Sequence, residues 1–303
     1  MALRKKEYRK RATTFEEQLA ILKSHGVIIN DEENARKILR RIGYYRLGFY
    51  LYPFELTYPY LDARRKPEVK ANTKIEDAEA LYCFDAKLRN ILNQFISKIE
   101  IALRNTIIYE LSIKYKHNPF WFVDSKVVSG SFILNFEPAA YCSIRKHLPI
   151  QRHHKKYKGR YAPAWKTIEY LTLGNIEALY DNLLLDNDKK LISNKFGEPA
   201  TATFKSYLTS IREVRNACAH GNMVFGIKLS SGIRTGAACA SFSGNTNQRF
   251  HGALRVIDFI LSHISENSRS DMWDQLREAA QFLFNNCPHV KEYIEGETGI
   301  LIS

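Results

Sequence analysis

Between Ala78 and Lys116 apolar residues return every three or four positions, at Leu81, Phe84, Leu88, Leu92, Phe95, Ile99, Ala102, Leu103, Ile107 and Leu111. That period marks one face of an α-helix, and a stripe this long has to be buried against other helices. The remaining sequence supplies them. A short helix is predicted from Phe15 to Ser24, stopped by Gly26, and a second from near Asp31, a good N-cap, through Ala35, Ile38, Leu39 and Ile42. The aromatic block from Gly43 to Phe54 reads as a helix ended by Pro53 and Pro59, its rings serving as packing, with base stacking the alternative. Asn118-Pro119 breaks the long helix. Helical periodicity resumes at Ala164 to Leu171 and continues through Ile176, Leu179, Tyr180 and Leu183; two last helices are expected near Ala253 to Ile264 and Met272 to Phe284. The expected fold class is all-α.

Between these helices the segment from Ser129 to Arg160 is basic and reads as a turn-rich loop. The tract after Gly221, to about Arg249, is rich in Gly, Ser, Thr and Asn and reads as a second long loop with room for a small hairpin. The domain organisation expected is an N-terminal helical region over 1–75, a helical domain over 76–285 interrupted at 118–163 and 221–250, and a tail over 286–303. Hydrophobic content of 45% with 25% charged residues belongs to a folded chain, not a disordered one.

The charge balance narrows the partners. With 45 Lys and Arg against 32 Asp and Glu, the chain carries a formal charge of +13, a field that gathers polyanions, nucleic acid first among them. Basic residues concentrate in Arg4-Lys5-Lys6 with Arg9-Lys10-Arg11, in Arg64-Arg65-Lys66, and in the stretch from Arg152 to Arg160. In that last stretch Arg152, Lys155, Lys156, Lys158 and Arg160 are the candidate RNA contacts, with a plain solvated surface as the competing reading. The five cysteines are scattered and never form a CxxC pair, which is a reduced pattern without zinc spacing. His153 and His154 are adjacent, with no acid or cysteine to complete a ligand set, so neither a metal site nor a cofactor is expected. The basic amino terminus is followed by Thr13-Thr14-Phe15-Glu16-Glu17 in place of an apolar h-region, and no run approaches eighteen apolar residues. A cytoplasmic protein without a membrane partner is expected.

The chemistry concentrates in Arg215-Asn216-Ala217-Cys218-Ala219-His220. Upstream, Phe204, Leu208, Ile211 and Val214 predict an amphipathic helix over Thr203 to Val214, and Gly221 is a suitable stop. An α-helix turns about 100° per residue, so Asn216 and His220 share a face while Arg215 points about 140° away from His220. One copy is therefore an incomplete site. A guanidinium neutralises a phosphate as its charge grows in a transition state, and an imidazole exchanges protons near neutrality. Two further acid–base pairs, Asp85 with Arg89 and Glu100 with Arg104, are spaced i, i+4. On a surface they support the helix by about 0.3–0.5 kcal/mol each; partly buried, they could orient the motif helix.

Five blocks in order carry a family resemblance: Ile42-Gly43-Tyr44-Tyr45-Arg46-Leu47; Tyr82-Cys83-Phe84-Asp85-Ala86-Lys87-Leu88-Arg89; Glu100-Ile101-Ala102-Leu103-Arg104; Trp165-Lys166-Thr167-Ile168-Glu169 with Leu173-Gly174; and the Arg215–His220 motif. Across about residues 14 to 285 the chain resembles the Abi family of bacterial abortive-infection proteins, the AbiD and AbiF group. That family is similar to the HEPN superfamily, helical proteins whose spaced Arg and His cut RNA where two copies meet. The resemblance implies a HEPN-like helical bundle with added N-terminal and C-terminal helices. It also implies a homodimer, RNA as substrate, and for some relatives a small noncoding RNA as antitoxin. Arg215 and His220 match the motif with four residues between them, and Asn216 matches the polar residue that often follows its arginine. After the motif the family often shows His-x-Arg-Leu-Trp-Asn; this chain has Gly221-Asn222-Met223-Val224-Phe225-Gly226 and so lacks a second histidine there.

The function expected is a metal-independent endoribonuclease acting as an abortive-infection toxin, with Arg215, Asn216 and His220 catalytic and Glu100, Arg104, Asp85 and Arg89 in support. The alternative is a non-catalytic RNA-binding module or sensor in a phage-defence or toxin–antitoxin system. A DNA-binding helical protein is the third reading, without a recognisable helix-turn-helix signal.

Overall fold

The computed structural model describes residues 11–60 and 64–302. Of the three basic clusters, Arg4-Lys5-Lys6 and Arg9-Lys10 lie outside the described residues. Within them the chain is all-α. No β-strand forms there; extended pairing is limited to isolated bridges such as Ile28 with Lys74 and Lys228 with Arg249. In chain order the helices are α1 Phe15–Ser24, α2 Glu32–Ile42, α3 Tyr44–Leu51, α4 Ile75–Lys114, α5 Gly130–Phe136, α6 Cys142–Ile144, α7 Leu148–Lys156, α8 Ala164–Thr167, α9 Leu173–Asp181, α10 Asp186–Ser193, α11 Thr201–Ala219, α12 Phe250–Ser262, α13 Glu266–Asn286 and α14 Lys291–Thr298. None of the helices described is long and apolar enough to cross a membrane.

Two compact units are present. The first takes the described residues up to Ala86 together with Leu283–Pro288; the second takes Lys87–Phe282 together with the residues from His289 onward, so the division falls within α4.

In the first unit local signals set the helix ends. Thr14 and Glu17 form a reciprocal capping box at α1, and the Asp31 carboxylate accepts the Asn34 N–H at 3.0 Å to start α2. The aromatic block splits in function: Leu47 and Tyr50 are buried, whereas Tyr45 and Phe49 are exposed and pack edge to face on each other. The basic run at 64–66 is largely engaged. Arg65 makes a bidentate pair with the buried Glu55 (2.7 and 2.8 Å), and Arg64 lies 3.8 Å over the Tyr60 ring.

In the second unit the predicted stripe of α4 is the core. Leu88, Leu92, Phe95, Ile99, Leu103, Ile107 and Leu111 are each 1% exposed or less, a burial worth about 1.5–3 kcal/mol per side chain. α11 packs against α9, α10 and α12, and α14 packs back on α12. The tract from Ser129 to Arg160 differs from the expected loop: it is built from short helices and one π turn, Glu137–Tyr141. Pro149 occupies the first turn of α7, where a missing N–H costs nothing, and Pro138 falls at the junction where α5 gives way to the π turn. Phe136, Tyr141, Ile144 and Ile150 are buried and hold the tract down. The tract after Gly221 is irregular as expected, with a single bridge in place of a hairpin. It is tied along α11 by Ser230 N–H to Glu213 (2.8 Å), Arg234 N–H to Ser206 (3.0 Å) and Ala238 N–H to the Tyr207 hydroxyl (3.1 Å).

Candidate active site

The rotation of α11 about its axis is fixed by its apolar side. Phe204, Leu208, Ile211 and Val214 are each 1% exposed or less, and Ala217 and Cys218 extend that face to the last turn. With these inward, Arg215 and Asn216 sit half-buried at the rim and His220 is exposed. The helix then stops on a Schellman turn. Asn222 N–H donates to the Ala217 carbonyl at 2.9 Å and Gly221 N–H to that of Cys218 at 3.3 Å, with Gly221 at φ +67°. His220 is thus the residue that caps the helix, its own N–H returning to the Asn216 carbonyl at 3.0 Å.

Two buried side chains of α4 brace this end. Arg89, 7% exposed, donates to the Asn222 carbonyl at 3.2 Å and so fastens the residue two past His220. Glu100, 9% exposed, accepts from Arg215 Nε at 3.0 Å through one oxygen; its other oxygen lies 3.6 Å from Arg104. Arg104 Nε in turn donates to the Leu171 carbonyl at 3.1 Å. Engaging Arg215 through Nε leaves both of its terminal NH2 groups for an anion at the surface. Glu100 is spent on this task, since each of its oxygens faces a guanidinium.

The structure brings together Glu100, Arg104 and Arg215, and sets Arg89 behind the turn that carries His220. Asp85 is fully buried and accepts the Tyr50 hydroxyl at 2.9 Å. Arg152, Lys155 and Lys156 are exposed on α7 and Lys158 just beyond it, while Arg160 is held by Glu137, which also pairs with Arg145. The backbone carbonyls of Asn222 and Leu171 escaped the sequence reading because a carbonyl has no residue identity to read. A separate cavity of about 570 Å³ lies beside the first half of α11, lined by Tyr180, Asp181, Lys189, Thr201, Lys205 and Arg234 among others. Asp181 engages two of its cations, Lys205 at 2.6 Å and, through its carbonyl, Lys189 at 2.8 Å.

Comparison with known families decides the classification: the family model described as Abi-like protein matches residues 37–226, more than half of the chain. The chain belongs to the Abi-like protein family. The matched region runs from α2 past the turn after His220, and so contains Glu100, Arg104, Arg215, Asn216 and His220. Membership of the Abi-like family points to abortive infection, a defence against phage. Neither the curated proteins nor the solved structures gave a match.

Proposed function

We propose that this Abi-like chain is a metal-independent endoribonuclease of abortive infection that acts as a homodimer of the HEPN kind. The observation that carries the reading is the division of labour at the end of α11: an arginine aimed by Glu100 and an exposed imidazole on the helix cap, on faces about 140° apart. On this reading one copy holds an incomplete site. A second copy, related by a twofold axis, would bring two arginines and two imidazoles to one ribose–phosphate junction.

In this reading one His220 takes the proton of a ribose 2′-hydroxyl as its oxygen attacks the adjacent phosphorus. The His220 of the second copy, protonated, gives its proton to the departing 5′-oxygen as that P–O bond breaks. Arg215 of each copy neutralises the oxyanion that builds up on phosphorus, and Asn216, on the face of His220, orients it. The products are a 2′,3′-cyclic phosphate and a 5′-hydroxyl. None of these steps needs a metal ion, so EDTA leaves the rate unchanged.

Induced expression of wild type and His220→Ala in bacteria, with growth and RNA integrity followed together, tests the proposal. Growth arrest and RNA fragments confined to wild type support it; equal cutting by purified His220→Ala protein overturns it. Tight RNA binding with neither arrest nor fragments would instead assign a non-catalytic RNA-binding module.

A further inference from the structure

Eight Lys and Arg and no Asp or Glu fall between Glu137 and Glu169. Two of the eight, Arg145 and Arg160, are held by Glu137 at the edge of this stretch. The other six, Lys146, Arg152, Lys155, Lys156, Lys158 and Lys166, have no carboxylate partner among the described residues. Arg152, Lys155 and Lys156 lie on α7 and Lys166 on α8, which packs against it. Burial, and then the charges of Lys166 and His154, push the His153 imidazole below its ordinary value. Like charges gathered without counter-charge repel, and a bound polyanion relieves that repulsion.

Rings stand among these cations. His147, exposed at the start of α7, stacks on Tyr170 with centroids 4.1 Å apart and planes 19° from parallel. Trp165 of α8 is 51% exposed and Tyr157, just past α7, 50%. Indole and phenol rings are costly to leave in water and give flat faces for another ring. A base in a duplex has both faces covered by its neighbours; a base in a single strand does not. This surface also leads to the motif. Tyr170 precedes Leu171, whose carbonyl holds Arg104, and Arg104 shares Glu100 with Arg215.

We infer that α7 and α8 form a docking platform for single-stranded RNA, with bases stacked on Trp165 and His147 and phosphates on the α7 cations, beside Arg215. The ribose of that strand, but not the grip on it, rests on the ribonuclease reading.

The test uses the full chain carrying His220→Ala, which prevents turnover, and a short labelled RNA, single-stranded or annealed to its complement, followed by fluorescence anisotropy. The single strand should bind about ten-fold tighter or more, and Trp165→Leu should weaken it on the order of ten-fold, with Trp165→Phe restoring most of the loss. Replacing Arg152, Lys155 and Lys156 with Gln should lower the slope of log affinity against log salt by about two, at about 0.7 per neutralised phosphate. An unchanged melting temperature shows that the variants fold. Equal affinity for duplex, an indifferent Trp165→Leu, or a Trp165→Leu that alters self-association but not RNA affinity would each overturn the platform. Cleavage by wild type with the same KM in Trp165→Leu removes the platform alone; intact binding without cleavage by wild type removes the nuclease reading alone.

Discussion

Two sets of cations in the second unit are treated in opposite ways. At the end of α11, Arg215 is fixed through its Nε by a carboxylate that Arg104 also faces, and Arg104 is fixed again by a backbone carbonyl. On α7, the lysines and Arg152 are exposed and lack such partners among the described residues. A guanidinium that must meet charge at one point of a reaction has to be in place beforehand, because reorganising it during the step would raise the barrier. A cation that only holds a flexible strand gains from freedom, since phosphates arrive in many positions. The fixed set therefore fits chemistry and the free set fits binding, and each variant below is chosen to separate rate from affinity.

The largest effects should come from the motif. In the proposed ribonuclease, His220→Ala should lower kcat on the order of 10²–10⁴-fold, and Arg215→Ala on the order of 10²–10³-fold, both read from single-turnover cleavage with KM little changed. Glu100→Ala comes next. It leaves Arg215 chemically intact but unaimed, and should cost up to on the order of 10²-fold in kcat with RNA affinity retained. A loss confined to affinity would break the comparison, because Glu100 would then be shaping a binding surface. Arg215→Lys is the sharper probe: it keeps the charge, loses both the Nε–H that Glu100 holds and the planar fork left for the phosphate, and should recover little of the rate.

How far this division could be read from the sequence depends on the distance over which each contact acts. The inward face of α11 was legible because Phe204, Leu208, Ile211 and Val214 keep helical spacing, and the helix stop was legible in Gly221. The pairing of Glu100 with Arg104 was legible at i, i+4; its grip on Arg215, 115 residues away, was not. Arg89 also reaches the Asn222 carbonyl and Asp85 the Tyr50 hydroxyl, contacts that the spacing on α4 does not announce. Spacing on one helix fixes which residues are neighbours there and says nothing of what the facing element presents. The short helix α7 stayed hidden because proline signals both a break and a helix start, and tertiary burial of Ile150 decided between the two.

Glu137 offers a smaller test of the same contrast. It holds Arg145 and Arg160, so Arg160→Gln should change RNA affinity less than Arg152→Gln does, although both residues are exposed. Glu137→Gln should release two cations toward the strand and steepen the salt dependence, by about 0.7 in slope for each further phosphate they neutralise. Salt titrations of RNA binding by the three variants check this. Equal losses in Arg152→Gln and Arg160→Gln would mean that carboxylate pairing does not sort the cations.

The smallest effects should separate two glycines that serve the same helix. A Cβ on Gly236 would run into the Glu198 carboxylate, the Thr203 methyl and the Tyr207 hydroxyl, so Gly236→Ala forces the loop off α11 and should cost about 1–3 kcal/mol, seen as a lower Tm. Gly221 is required for its backbone at φ +67°, where an alanine costs roughly 1–2 kcal/mol. The two losses are similar in size but differ in kind. Gly236 lies along the first half of α11, and at a temperature where the fold is intact its alanine variant should cut RNA at the wild-type rate. Gly221 forms the turn that places His220 as the helix cap, and a chain that relieves the strain by unwinding that turn moves the imidazole with it. Gly221→Ala should therefore slow cleavage at that same temperature while leaving unchanged the RNA affinity that the proposed platform on α7 would supply. Identical behaviour of the two alanine variants in the cleavage assay would mean that the Schellman turn merely ends the helix and does not aim the histidine.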